Sequence, residues 1–194
     1  MKSINAFVVR IQKPLKEEIT LSNGLKLFVD NKFNEFEHRV SEGEVVATPA
    51  KYDLGVSVGD TIYFHHHVVI GDGQKVHWED DLYFVYYDPD KAVMSQAIAY
   101  KNSQGEVKCL SNWFLLTSTN ETESIDSESV ILDHLKKDVK NEAVIDCLPA
   151  KYDIDVKEKD VVGFKKNSDY EITIDDHVYF RVREDDILYV KETV

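Results

Sequence analysis

Thr48-Pro49-Ala50-Lys51-Tyr52-Asp53-Leu54-Gly55-Val56-Ser57-Val58-Gly59-Asp60-Thr61-Ile62-Tyr63-Phe64 returns one hundred residues later. The second copy reads Leu148-Pro149-Ala150-Lys151-Tyr152-Asp153-Ile154-Asp155-Val156-Lys157-Glu158-Lys159-Asp160-Val161-Val162-Gly163-Phe164. Pro-Ala-Lys-Tyr-Asp is identical, and Val56, Ile62 and Phe64 recur as Val156, Val162 and Phe164. With four residues deleted in the second copy, Leu82-Tyr83-Phe84 aligns with Val178-Tyr179-Phe180, and Asp90, Ala92 and Met94 align with Asp186, Leu188 and Val190. Self-similarity at a fixed offset marks an internal duplication. The chain reads as two versions of one small β domain, over residues 1–100 and 101–194.

Composition narrows the function. At 43% hydrophobic and 30% charged residues, the chain has the balance of a folded globular protein. Acidic residues number 36 against 23 basic, a net charge of −13. Such a surface repels nucleic acid and anionic membranes, so neither is expected as a partner. No apolar run is long enough to span a membrane, and Met1-Lys2-Ser3-Ile4-Asn5 lacks the core of a signal peptide. Cys109 and Cys147 stand at unrelated places in the two copies and form no Cys-x-x-Cys pair. Both read as small apolar residues in a reducing compartment, and a cytoplasmic location is expected.

Outward from the repeat, the pattern is that of short strands. Asn5-Ala6-Phe7-Val8-Val9-Arg10-Ile11 is a β-rich apolar run closed by Pro14, and Asn112-Trp113-Phe114-Leu115-Leu116 is its counterpart. After each comes a long polar stretch with an apolar burst inside it. In the first copy the burst is Leu25-Lys26-Leu27-Phe28-Val29, and in the second it is Val130-Ile131-Leu132. Loops of that length in a compact domain usually carry function. Ala97-Ile98-Ala99-Tyr100 and Glu106-Val107-Lys108-Cys109-Leu110, around Gly105, read as a hairpin linking the two copies. Few stretches show a helical period, the best being the short one over residues 133–140, so the fold class is all-β, with a small barrel in each half.

In this order and spacing the residues resemble the GroES co-chaperonin family. That family has an N-terminal strand, then a mobile loop bearing an apolar tripeptide. A Gly-Glu-Val strand, a Val-x-x-Gly-Asp-x-Val-x-Phe segment and an Asp-Ile-Leu-Ala type strand follow. The first copy offers Gly24-Leu25-Lys26-Leu27, Glu42-Gly43-Glu44-Val45-Val46 and the segment from Val56 to Phe64. The second offers Ser129-Val130-Ile131-Leu132, the segment from Val156 to Phe164, and Glu184-Asp185-Asp186-Ile187-Leu188-Tyr189-Val190. Lys159 replaces the glycine before Asp160, and Lys26 occupies the centre of the first tripeptide.

The resemblance implies two tandem GroES-like barrels with long mobile loops, acting as a lid on an ATP-driven chaperonin of the GroEL type and enclosing folding substrates. Leu25, Lys26, Leu27, Val130, Ile131 and Leu132 would make the contact. A homo-oligomeric ring is implied, although two fused domains cannot make the family's usual seven from whole chains. Divergent forms are carried by bacteriophages, so a viral origin, with the host cytoplasm as location, is implied too. The alternative is a structural β-barrel protein of a virion or assembly complex that binds no chaperonin.

Catalysis, cofactors and metals are not expected. His65-His66-His67 is the tempting cluster, but strand alternation would let only His65 and His67 share an ion. Glu79-Asp80-Asp81 and Glu184-Asp185-Asp186 lack the spacing of a calcium loop and read as solvated turns. Gly71 and Gly73 precede no helix, so they form no nucleotide fingerprint.

Overall fold

The structure, a computed structural model, describes residues 2–13, 15–21, 23–28, 40–70, 75–90, 95–110, 113–119, 141–175 and 177–191. Ala92, Met94, Val130, Ile131, Leu132 and the 133–140 segment lie outside them. The chain divides into two compact units, Met1–Leu110 and Ser111–Val194.

In the first unit, β1 (Ala6–Arg10), β4 (Glu42–Ala47), β5 (Thr61–Phe64), β6 (Leu82–Tyr86), β7 (Ala97–Lys101) and β8 (Val107–Cys109) form one antiparallel sheet, ordered β6-β1-β4-β5-β7-β8. A separate two-stranded ribbon pairs β2 (Glu18–Thr20) with β3 (Lys26–Phe28). In the second unit, β9 (Trp113–Ser118), β10 (Glu142–Cys147), β11 (Val161–Phe164), β12 (Tyr170–Ile174), β13 (His177–Arg183) and β14 (Ile187–Lys191) are ordered β12-β13-β9-β10-β11-β14. The protein is all-β, and each unit contains a six-stranded antiparallel sheet.

Five strands keep one order in both units: β6-β1-β4-β5-β7 and β13-β9-β10-β11-β14. Their irregularities also coincide. β4 shifts register between Val45 and Ala47 opposite Val9 and Val8, and β10 shifts between Ile145 and Cys147 opposite Leu116 and Leu115. The ladders β5–β7 and β11–β14 slip at Tyr63/Phe64 and Gly163/Phe164. Because bulges are built into a fold by design, shared ones establish the duplication more firmly than residue identities do.

The register corrects two of the sequence alignments. Val8 faces Phe84 and its equivalent Leu115 faces Arg181, so Tyr83 and Val85 correspond to Phe180 and Val182. The alignment of Leu82-Tyr83-Phe84 with Val178-Tyr179-Phe180 is therefore one residue out. A one-residue slip exchanges the faces of a strand, and both matched pairs here face the main cores. Likewise the counterpart of β14 is β7, not the stretch around Asp90, Ala92 and Met94. His65 N–H donates to Gln96 O just as Lys165 N–H donates to Asp186 O. The hairpin over residues 97–109 thus belongs wholly to the first unit and contains that unit's own last shared strand.

The barrels expected from the sequence are not closed by the described hydrogen bonds. An extra hairpin partner occupies one edge of each five-stranded set: β8 lies on β7, and β12 lies on β13. Covering an edge this way satisfies its backbone groups without ring closure. The two units place this extra strand at opposite ends of the same order.

The repeated pentapeptide closes the core. Pro49 and Pro149 are buried. Tyr52 meets Tyr87 edge-on at 6.0 Å, Tyr87 meets Phe7 at 6.0 Å, and Tyr152 meets Phe114 at 5.9 Å. The neighbouring aspartates tie the next turn. Asp60 Oδ2 accepts from Ser57 N–H at 2.8 Å, and Asp160 Oδ2 accepts from Lys157 N–H at 3.0 Å. Between them Gly59 adopts φ 94° and Lys159 adopts φ 74°. Lys159 carries the left-handed strain that glycine avoids, and its ammonium reaches Asp146 at 2.6 Å. Gly59→Ala is expected to destabilise the first unit by about 1 kcal/mol, measured by urea unfolding. Nothing lies within 4 Å of the added Cβ, so any loss comes from the backbone alone.

One cross-strand pair is inverted between the units. Tyr63 stands opposite Ala99, and Gly163 stands opposite Tyr189. A Cβ on Gly163 would meet the Tyr189 ring at 2.2 Å, so the large side chain has changed strand while the pair keeps one aromatic and one small partner. The Tyr189 hydroxyl donates to Glu142, which also holds Lys191 at 2.7 Å. That bond to Glu142 raises the Tyr189 pKa above the ordinary phenol value.

Candidate functional site

The β2–β3 ribbon presents the apolar burst of the first copy. Asn23-Gly24 makes its turn: Gly24 adopts φ 81°, Gly24 N–H donates to Leu21 O at 2.8 Å, and Leu25 N–H donates to Asn23 Oδ1 at 3.0 Å. Leu21 N–H donates back to Leu25 O at 2.8 Å, and Glu18, Ile19 and Thr20 pair with Phe28, Leu27 and Lys26. Across the ribbon Lys26 Nζ meets Glu18 Oε2 at 3.0 Å. This exposed pair contributes at most about 1 kcal/mol, but it favours one register.

On this frame Leu25 is 54% exposed, Leu27 42% and Phe28 82%. Among the described residues, Ile4, Val58, Trp78 and Val178 are exposed singly, and Leu188 and Tyr189 form an exposed pair on β14. Leu25, Leu27 and Phe28 are thus three exposed apolar side chains within four consecutive positions, on a ribbon outside the six-stranded sheet. Sequence reasoning named Leu25, Lys26 and Leu27 and passed over Phe28, although it belongs to the same burst. Strand alternation places Lys26 and Phe28 on the face opposite Leu27. Val130, Ile131 and Leu132 lie outside the described residues.

The acidic runs serve the fold. Asp81 pairs with Arg10 at 3.1 Å and Asp80 with Lys75 at 3.1 Å. Glu184 Oε1 accepts from Asp153 N–H at 2.9 Å, while buried Asp186 holds Lys165 at 3.1 Å and Arg183 at 3.2 Å.

Arg181 is the outlier in charge. Its Cζ lies 3.8 Å from the Trp113 ring centroid and 4.7 Å from that of Tyr170, and its Nε is buried without a hydrogen-bond partner. Burial pulls its pKa down to about 10, Arg183 nearby adds to this, and Tyr170 opposes it. Among the described residues no carboxylate pairs with it. Two aromatic faces thus hold a guanidinium that is otherwise poorly solvated. Arg181→Met keeps the stem on the rings and removes the desolvated charge. Its expected effect is between neutral and about 1–2 kcal/mol of stabilisation by chemical denaturation, and a loss of 3 kcal/mol or so would mean the charge is well compensated.

The chain matches no protein-family model and no curated protein. Among the described residues no helix is long and apolar enough to cross a membrane.

Proposed function

We propose that the protein is a co-chaperonin of GroES-like type: a lid that docks on a GroEL-type chaperonin through apolar ribbon tips and encloses folding substrates. The observation that carries this reading is the exposure of Leu25, Leu27 and Phe28 on a ribbon apart from the sheet, at the place where the resemblance puts the contact tripeptide. A structural subunit using the same loop as core would bury these side chains. In this reading the two sheets are the walls of tandem barrels, and several chains form the ring.

The energetics fit a reversible cap. Burying each large apolar side chain is worth roughly 1.5–3 kcal/mol, and ordering a segment on binding costs about 2–5 kcal/mol. One tip alone is weak. Tips presented together on a ring raise one another's effective concentration and become a firm contact without any single strong one. The role needs no catalytic group and no cofactor.

The test is association with a purified GroEL-type chaperonin, followed by gel filtration with ATP, with ADP and without nucleotide. Nucleotide-dependent co-elution is expected. Absence of co-elution under all three conditions, with the protein folded, overturns the lid reading.

A further inference from the structure

We infer that His65, His66 and His67 form a binding site for one borderline transition-metal ion of the Zn²⁺, Cu²⁺ or Ni²⁺ class. Strand alternation would separate His66 from its neighbours, but the strand ends at Phe64 and a 3-10 turn, His66–Val69, begins. His65 caps that turn with extended backbone, φ −65° and ψ 134°. All three imidazoles consequently gather on one side. Their ring centroids are 4.4, 4.2 and 4.5 Å apart, and one ligand nitrogen from each lies within 4.8 Å of the others.

The turn is held firmly from below. Val68 and Val69 are buried in the main core, Val68 N–H donates to His65 O at 3.0 Å, and Ile70 N–H donates to His67 O at 3.1 Å. The histidines themselves are half-buried or exposed and so open to an ion from solvent. Tetrahedral coordination at 2.0–2.1 Å places ligand nitrogens about 3.3 Å apart, a closure of roughly 1.5 Å that side-chain rotation supplies. Imidazole nitrogens favour borderline cations over Ca²⁺ and Mg²⁺, which take oxygen ligands, and among the described residues the cluster consists of these three histidines.

The hydrogen bonding adds a specific consequence. His65 Nδ1 accepts from His67 N–H at 3.2 Å, so in the neutral ring its lone pair is on Nδ1 and its proton on Nε2. Metal entry at Nδ1 displaces that amide, and the ion takes over from it as the link between residues 65 and 67. The second unit has Lys165-Lys166-Asn167 at this place, where Lys165 binds Asp186, so the site belongs to one copy alone.

The experiment is calorimetric titration of untagged protein with Zn²⁺ at pH 7.5, with Mg²⁺ and Ca²⁺ as controls, alongside amide NMR. One equivalent of Zn²⁺ is expected, with the His67 amide among the most shifted signals and no response to Mg²⁺ or Ca²⁺. His66→Gln should weaken binding at least tenfold, and His77→Gln should leave it unchanged. Equal affinity in native and His66→Gln protein overturns the three-histidine site, as does a stoichiometry tracking all seven histidines. Thermal melts of the metal-free variants show that each is folded, and the result is independent of chaperonin binding.

Discussion

Phe114→Ala is expected to destabilise the second unit by about 3–5 kcal/mol. Phe114 is fully buried in β9, which has ladders to β13 on one side and β10 on the other, so the backbone around it cannot easily relax into a cavity. Its ring meets Tyr152 edge-on and packs with Leu116, Ile145, Val162 and Val182. Removing it forfeits the transfer energy of the ring, leaves a void, and strips Tyr152 of its aromatic partner. A domain of this size has roughly 4–12 kcal/mol of stability to lose, so the variant should be largely unfolded well below the native midpoint. Guanidinium unfolding followed by the fluorescence of Trp113, adjacent in the same strand, reads the change. A cost under about 1 kcal/mol would mean that the core is not centred on this ring. Phe7→Ala, at the equivalent position of the first unit, should behave alike because Phe7 meets Tyr87 in the same edge-on way.

Replacing Leu25, Leu27 and Phe28 together by serine should leave the fold intact and abolish chaperonin capture. All three are exposed, and changes at such positions usually move stability by no more than about 0.5 kcal/mol each. The turn at Asn23-Gly24 and the Lys26–Glu18 pair, which define the ribbon, are untouched. If these side chains enter an apolar groove, each loses most of its roughly 1.5–3 kcal/mol, and in a ring the loss recurs at every tip. A drop of at least a hundredfold in apparent affinity is expected, with an unchanged circular-dichroism melt. Undiminished capture by the folded triple variant would place the contact elsewhere and remove the ribbon from the mechanism.

Much of the architecture was legible because it rests on short-range chemistry. The Pro-Ala-Lys-Tyr-Asp repeat announced two copies, and the copies share five strands in one order. Within the match of Asn5–Val9 to Asn112–Leu116, the ladders reproduce Phe7–Val9 against Phe114–Leu116, since both are buried runs next to the same bulge. Alignment failed at the later strands. From residue 75 on, apolar residues are frequent on both faces of the sheet, with Val76 and Leu82 packing on the side away from the main core. Alternation there does not say which face is which, and a slip of one residue or of one loop goes unnoticed.

The candidate site was legible in part for a similar reason. An apolar burst between polar stretches is visible in any sequence, but whether it is core or surface depends on what packs against it. Pairing with β2 turns Leu25–Phe28 into an independent ribbon, and Phe28 joins the surface through exposure that no local pattern encodes. Arg181 was invisible altogether: nothing in the sequence links it to Trp113 and Tyr170, which come from different strands.

By itself the sequence determined the all-β class, the duplication, the hairpin around Gly105 and the acidic surface, because these follow from periodicity, turn residues and charge. Only the tertiary structure decided the register of β6 and β13, the open six-stranded arrangement and the separate ribbon. It alone also brought the three histidines together. Each of those depends on which distant backbone groups find one another, and in His65–His67 on the point at which a strand stops and a turn begins. Hydrogen-bond pairing between strands far apart in the chain sets these choices, and a local pattern of side chains does not contain it.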